Sequence, residues 1–440
     1  MMALDDPTKG SWNKSNKYGI DLRTGIQPSE IYTSAEVFDD EMEKIFGKCW
    51  LLVGHESQIP QKGDFVVSKM GNDSVIVSRH RDDTVHVLLN QCRHRGVKLL
   101  RTDYGSKPAF ICSYHGWCYG TDGKLLGMPH VSHHRDCFKK SEWGLVAVPK
   151  VEIYRGLIFA NWDENAEPLA DYLAESMWYL DAFFDRSPAG SEFIGLQKWV
   201  LKANWKWGAE QHASDFYHAQ VSHVSYTDVF FPEASTNRLI QFGPPEYGLQ
   251  YSSPERGHGG GWLTIPHEIL LHRGIKTMTD DVVDYWEETG FPKTAERLGD
   301  TRSNKMTVFH MNIFPHMSLN RGQGYLRLWQ PISPTETEVW SFVFVDADLP
   351  EELKASYLTA KANIFSAAGG LEQDDAENTT ACQMGVTGTK ASKTKLNIMM
   401  GDVKEPPEDF EGPGLISDEY SEVALRGFYH RWASLMDGEG

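Results

Sequence analysis

Several things are scarce in this chain, and each scarcity excludes a class. Cysteine is rare: six residues in 440, at positions 49, 92, 112, 118, 137 and 382. In a chain this large with no export signal, an even count is not read as a disulfide framework. Long hydrophobic runs are missing, and nothing approaches the roughly 20 apolar residues of a membrane-spanning helix. The leading MMALDDPTKGSWNKSNKYG lacks the apolar segment of a secretory leader, so a cytoplasmic protein with no membrane partner is expected. Positive charge is in deficit, with 43 Lys and Arg against 61 Asp and Glu and a formal net charge of -18. That argues against a nucleic-acid binder, whose affinity comes mainly from cations on phosphates. Arg79-His80-Arg81 and Arg93-His94-Arg95 could still make local basic patches. There is no internal repeat and no low-complexity tract.

What is present fits a soluble globular protein: 40% hydrophobic and 24% charged residues. The length suggests two to three domains. Residues 35–50 place Val37, Met42, Ile45 and Phe46 on one helical face. From about 51 to 160 the texture changes to short β-rich runs (DFVVSKM, DSVIVSR, VHVLLNQ, LIFANW) between Gly, Asp and Asn turns. Helix returns at 167–185 and over much of 198–230. Strands dominate from 235 to 345, and helices are expected at 350–380 and 419–435. The pattern predicts an α+β chain with an all-β domain, 48–162, inserted between an N-terminal helical part, 1–47, and the remainder, 163–440.

The 17 histidines are more informative than the cysteines. Cys92-Arg93-His94-Arg95-Gly96 and Cys112-Ser113-Tyr114-His115-Gly116-Trp117 are two Cys/His pairs, each on a loop between β runs. Zinc accepts two Cys and two His, but it usually pairs Cys with Cys and His with His. Interleaved C-x-H and C-x2-H pairs instead fit a Rieske-type [2Fe-2S] cluster, with two thiolates on one iron and two imidazoles on the other. Neutral imidazoles in place of thiolates lower the cluster's negative charge and raise its potential. Cys118 and Cys137 read as ordinary reduced cysteines.

A Rieske domain needs about 110 residues, so most of the chain requires another explanation. Residues 204–223 contain Asp215, His218 and His223. Histidines five apart on a regular helix diverge by about 140°, so they converge only if the helix is distorted or ends between them. Asp215, three before His218, can accept the imidazole N–H turned away from a metal. A mononuclear iron needs two His and one carboxylate, with open positions opposite. The carboxylate comes from the acidic run Glu372-Gln373-Asp374-Asp375, where spacing does not choose between Asp374 and Asp375.

Together the motifs resemble the α subunits of Rieske non-heme iron aromatic-ring-hydroxylating dioxygenases. The likeness covers most of the chain: the short N-terminal helix, the Rieske insertion, the N-W-K-x3-E-x4-D-x-Y-H-x4-H string, the E-x-D-D run and the closing SE-x3-R-x-FY-x-RWA. It implies that the larger domain is an antiparallel sheet covered by helices, helix-grip-like. It also implies that His218, His223 and Asp375 are ligands of a mononuclear Fe(2+). Asp215 is then a bridging carboxylate towards His115 of a neighbouring subunit. Gln211 matches members acting on toluene and biphenyl, whereas the four residues between the two His depart from them, so the string combines two subgroup patterns.

The resemblance further implies a terminal oxygenase. It would take O2 and an aromatic substrate, with electrons from NADH through a reductase and a ferredoxin, and release a cis-dihydrodiol. A homotrimer is implied, alone or as α3β3 with a small β subunit. Gln211, Phe216, Leu271, Met311 and Phe365 are expected at the substrate, and Phe230, Phe231, Ile313 and Phe314 are further apolar candidates. No arginine stands beside the ligand motif to bind a carboxylate, which favours a mono- or polycyclic aromatic hydrocarbon. His212 and His310 read as satisfied core histidines. The alternatives are a Rieske monooxygenase acting on an aromatic acid and a plain electron-transfer Rieske protein.

Overall fold

The computed structural model describes residues 16–224, 248–263, 278–306, 308–321 and 324–438. The chain forms two compact units, Phe46–Leu169 and Met1–Ile45 with Ala170–Gly440. The first runs beyond the 48–162 expected from texture. Trp50 Nε1 donates to the Glu167 carbonyl at 2.9 Å and Leu169 N to the Glu152 carboxylate at 3.2 Å. Those bonds tie residues 163–169 back onto the β domain.

The smaller unit follows helix α1 (Ala35–Glu41), which Ser34 caps by accepting from Val37 N. Its ten strands are β1 (Leu51–His55), β2 (Asp64–Met70), β3 (Asp73–Arg79), β4 (Val85–Leu89), β5 (Tyr104–Ser106), β6 (Ala109–Ile111), β7 (Cys118–Gly120), β8 (Leu125–Gly127), β9 (Lys150–Tyr154) and β10 (Leu157–Asn161). They make three antiparallel sheets, ordered β9-β10-β1, β4-β3-β2-β5 and β6-β7-β8. Phe65, Ile76, Leu88, Phe110 and Tyr119 form a core that also takes in Cys92 and Cys112.

The larger unit is built on nine antiparallel strands. In chain order these are β11 (Ser191–Leu201), β12 (Gly248–Ser253), β13 (His258–Leu263), β14 (Val308–Ile313), β15 (Met317–Asn320), β16 (Tyr325–Ser333), β17 (Glu336–Asp346), β18 (Val403–Lys404) and β19 (Leu415–Asp418). Their order across the sheet is β11-β17-β16-β15-β14-β13-β12-β19-β18. The helices include α2 (Ser176–Phe184), α3 (Trp205–Ser214), α4 (Ala219–Ser222), α5 (Glu351–Phe365), α6 (Glu372–Thr387) and α7 (Val423–Met436). Residues 280–305, inside the stretch read as mainly strand, are helical instead. An amphipathic spacing is there to be read: Val282, Val283 and Leu298 are buried among charged neighbours.

Alternation along the strands gives the sheet two unlike faces. One is aromatic and aliphatic, and α2 lies on it: Tyr179 stacks on Tyr251 at 3.6 Å and Phe183 meets Phe309 at 4.8 Å. The other carries His310, Asn312, Ser318, Tyr325, Arg327 and Trp329, all buried. Helix α3 crosses this polar face. It approaches closely because Gly208 faces Trp329; a Cβ there would lie 2.4 Å from the indole. Asn204 caps α3 through Lys206 N. Trp205 Nε1 and Lys206 Nζ both reach the buried carboxylate of Glu41, at 2.9 and 2.6 Å. Asn204, Trp205 and Lys206 of the N-W-K-x3-E string thus fix α3 in place.

Candidate metal centres

The two Cys/His loops share one backbone pattern. Cys92 N donates to Val97 O and Gly96 N to Cys92 O; Cys112 N donates to Trp117 O and Gly116 N to Cys112 O. Each turn closes through a glycine at positive φ, 74° at Gly96 and 69° at Gly116. The thiols are buried and free, while His94 and His115 stand exposed with their Nδ1 atoms 3.1 Å apart. Trp117 stacks on His94 at 5.2 Å. Tyr119 Oη accepts from Arg93 N at 3.1 Å and lies 3.4 Å from Cys92 Sγ, within reach to donate to a cluster thiolate there. Two buried thiols and two imidazoles at paired loop tips fit a Rieske cluster by donor chemistry.

The second site lies where α3 stops. The helix ends at Ser214, and Asp215 leaves it with φ −96° and ψ 77°. His218 and His223 flank the one-turn helix α4, one at each end. This break lets histidines five apart converge. Asp215 meets His218 through a turn and not along a helical face. Its Oδ1 accepts from His218 N at 3.2 Å, its carbonyl lies 2.5 Å from His218 Nδ1, and its carboxylate is 3.3 Å from the same Nδ1.

From the first turn of α6, Asp375 Oδ1 comes within 3.3 Å of His218 Nε2 and 3.4 Å of His223 Nε2. That oxygen is buried and has no hydrogen-bond donor. Asp374 occupies the other side of His223, with Oδ2 3.2 Å from Nδ1. The pair that spacing left open is therefore divided: Asp375 joins the ligand atoms, and Asp374 orients an imidazole. The ligand atoms of His218, His223 and Asp375 all lie within 4.8 Å of one another. Two imidazoles and a carboxylate, with no thiolate, suit iron(II) with open positions.

The local charges follow from these contacts. Burial alone would raise the Asp375 carboxyl, but His218, His223 and Arg327 hold it below the usual carboxylate range. Burial would lower His218, yet Asp215 and Asp375 lift it well above its ordinary value. Sequence reasoning missed Arg327. It is buried on β16, its field reaches Asp375 and His212, and its Nη2 is bonded to Glu372. An arginine at an inward position of an otherwise hydrophobic strand was the available signal.

Of the expected substrate residues, Gln211 Nε2 lies 3.2 Å from His218 Nε2. Phe216 stacks on His310 at 5.5 Å, and Phe365 packs on Tyr325 at 5.1 Å. Met311 needs correction. Its neighbour His310 points at α3, donating Nδ1–H to His212 O at 2.8 Å. Met311 therefore points to the opposite, aromatic face, away from the ligand set, as does Ile313. Leu271, Phe230 and Phe231 lie outside the described residues. His212 and His310 are fully buried and hydrogen-bonded, His212 to Gly208 O and Tyr325 Oη, His310 to His212 O and Glu419.

Comparison with known proteins gives two family matches: the Rieske [2Fe-2S] domain over residues 49–150 and the ring hydroxylating alpha subunit (catalytic domain) over 169–438. The chain is 43% identical to the biphenyl 2,3-dioxygenase subunit alpha of Rhodococcus jostii, covering 95% of this chain and 90% of that one. It is 42% identical to the benzene 1,2-dioxygenase subunit alpha of Pseudomonas putida, covering 97% and 94%. Among solved structures, phenanthrene-bound naphthalene 1,2-dioxygenase superposes with a TM-score of 0.84 at 31% identity, covering 94% and 93% of the two chains. Among the described residues no helix is long and apolar enough to cross a membrane.

Proposed function

Since the chain belongs to the ring-hydroxylating α-subunit family, we propose that it is the terminal oxygenase of an aromatic-ring dioxygenase. It would convert an arene, O2, two electrons and two protons into a cis-dihydrodiol. The observation that carries this reading is the convergence of His218, His223 and Asp375 on one point in a chain that also holds a Rieske domain. Cys92, His94, Cys112 and His115 would hold the cluster, and His218, His223 and Asp375 the mononuclear iron. When bound, the cluster supplies electrons singly and the iron supplies O2 activation beside the arene.

The protein's own residues prepare that site. Asp374 holds the His223 Nδ1–H, and the Asp215 carbonyl holds that of His218, so both Nε2 lone pairs face the metal position. Gln211, Phe216 and Phe365 are assigned to orient the ring and exclude water. The relatives named for biphenyl and benzene support a hydrocarbon substrate. Electrons are assigned to NADH through a reductase and a ferredoxin. The working unit is a cytoplasmic trimer of this chain, alone or as α3β3 with a small β subunit, closed as a ring. In it Asp215 passes electrons from His115 of an adjacent copy.

Turnover of benzene or biphenyl under 18O2 should place two labelled oxygens in the diol, and anaerobically purified protein should hold three irons per chain. One labelled oxygen would make it a monooxygenase. Asp215→Asn should keep all three irons yet greatly slow reoxidation of the cluster in the presence of substrate. Wild-type reoxidation in that variant would remove the bridging role.

A further inference from the structure

The anchoring of α3 has a feature that anchoring alone does not require. Tyr32 stacks on Trp207 with centroids 3.9 Å apart and planes at 8°. Tyr32 Oη is 2.9 Å from Tyr429 Oη. Tyr429 meets Trp432 at 6.1 Å, and Trp432 meets Tyr18 at 5.3 Å. These are continuous contacts between five oxidisable rings. Trp207 sits one helical turn before Gln211, whose amide touches His218, and its Nε1 reaches Gln383 on α6, the helix that carries Asp375. Tyr32, Tyr429 and Trp432 are fully buried, whereas Tyr18 is partly exposed.

The hydrogen bonds along this row run repeatedly to carboxylates. Elsewhere acceptors vary: Tyr172, Tyr179 and Trp50 donate to the carbonyls of Phe314, Pro413 and Glu167, while Trp205 and Trp340 donate to Glu41 and Glu338. In the row, Tyr32 and Tyr429 donate to Glu210 Oε1, Trp432 to Glu41 Oε1 and Tyr18 to Asp40 Oδ2. Burying Glu210 and Glu41 is costly, and a carbonyl would satisfy a phenol or an indole equally well. A carboxylate adds one capacity that a carbonyl lacks: it can accept the proton an oxidised phenol must release.

We propose that Trp207, Tyr32, Tyr429, Trp432 and Tyr18 form a hole-transfer route that drains oxidising equivalents from the His218–His223–Asp375 site to the protein surface. It rests on the reading that those three residues hold a redox iron. Its use arises when oxygen is reduced to hydrogen peroxide without an arene being hydroxylated. Peroxide takes two electrons and two protons to become two waters. Each electron leaves Trp207 and is replaced in turn from Tyr32, Tyr429, Trp432 and Tyr18. Tyr32 and Tyr429 lend their phenolic protons to Glu210 and recover them on reduction. Tyr18 releases its proton to Asp40 and then solvent. A thiol in solution returns an electron and a proton to Tyr18, so the sum is one peroxide and two thiols giving two waters and one disulfide.

The test mixes iron-replete enzyme carrying ring-deuterated tyrosine with hydrogen peroxide, without arene, and freezes it for electron paramagnetic resonance. Wild type should show a tyrosyl signal narrowed by the label, and dithiothreitol should erase it and slow inactivation severalfold. Tyr18→Phe, at a part-exposed position outside the metal site, should leave coupled turnover unchanged. It should lose the thiol protection and accumulate oxidised Trp207, Tyr32, His218 or His223 by peptide mass spectrometry. Trp432→Phe should do the same from mid-route. Peroxide consumption by iron-loaded wild type with no aromatic radical would overturn the route, as would identical oxidation patterns in wild type and Tyr18→Phe. Failure of His218, His223 and Asp375 to retain iron would remove the metal reading first, and the route with it.

Discussion

At the scale of single residues, the acidic run on α6 shows both what the sequence reveals and where it stops. Spacing marks Asp374 and Asp375 as candidates and cannot separate them, since adjacent helical residues point about 100° apart and either could meet a distant histidine. Only the folded chain puts Asp375 against both Nε2 atoms and Asp374 against His223 Nδ1. The two substitutions should therefore differ. Asp375→Ala removes a ligand and should abolish stable iron binding. Asp374→Ala leaves three ligands but frees the His223 ring, and should weaken iron affinity by roughly 10- to 100-fold, measured by competition with a graded chelator. Equal loss in both variants would refute the division of roles. With the cluster bound, Tyr119 Oη, 3.4 Å from Cys92 Sγ, would donate to that thiolate. Tyr119→Phe leaves more negative charge on the sulfur, so the reduction potential should fall; a redox titration followed by the visible spectrum reads this.

At the scale of elements, sequence reading succeeded where a pattern is local. The β runs at 64–70, 73–79, 308–313 and 336–346 are strands of the structure, because alternation and β-branched residues act within a few positions. It fell short where the decisive partner is remote. The end of α3 at Ser214 has no proline or glycine to announce it, and Asp215 caps the exit by a turn. Met311 was assigned by hydrophobicity alone, and its face of β14 is fixed by His310 bonding to α3. The closing SE-x3-R-x-FY-x-RWA segment resembled a family pattern before its reason was visible. In the fold, Arg426 holds the carbonyls of Ile398, Met400 and Gly401, Tyr429 holds Glu210, and Trp432 holds Glu41. Close seating of α3 makes Gly208 critical. Gly208→Ala should push the helix off Trp329 and destabilise by about 1–3 kcal/mol, lowering the melting temperature and the iron content together. A variant that melts lower but binds iron normally would show that α3 can shift without moving its ligands.

At the scale of the whole molecule, the larger unit buries an unusual set of titratable groups, and their signs oppose. Burial lowers His212, His258 and His316 to about 3 and His310 to about 4. His258 shows why the neutral form is needed: Nε2 donates to Tyr172 O at 2.8 Å while Nδ1 accepts from Phe314 N at 3.0 Å. An unfolded histidine takes its proton near ~6.5, so each buried one withdraws stability as pH falls from there to its folded value. Burial also raises Glu210 to about 7, Glu372 to about 8 and Glu419 well above the usual range. These bind protons in the fold that the unfolded chain has released above ~4.3, so they withdraw stability as pH rises. Between ~4.3 and ~6.5 the three glutamates offset three of the four histidines, so stability should fall only gently with falling pH, by about 1.4 kcal/mol per pH unit. Below ~4.3 these glutamates are protonated in both states and no longer offset the histidines, each of which removes about 1.4 kcal/mol per pH unit, and Asp375, held below the usual range, adds to the loss. Denaturant midpoints of metal-free protein should therefore decline gently to about pH 4.5 and then drop steeply. His258→Gln, which can still donate and accept, should make that acid limb shallower by one proton. A steep limb that begins near pH 6.5 instead would mean that the buried carboxyls are ionised in the fold and supply no offset.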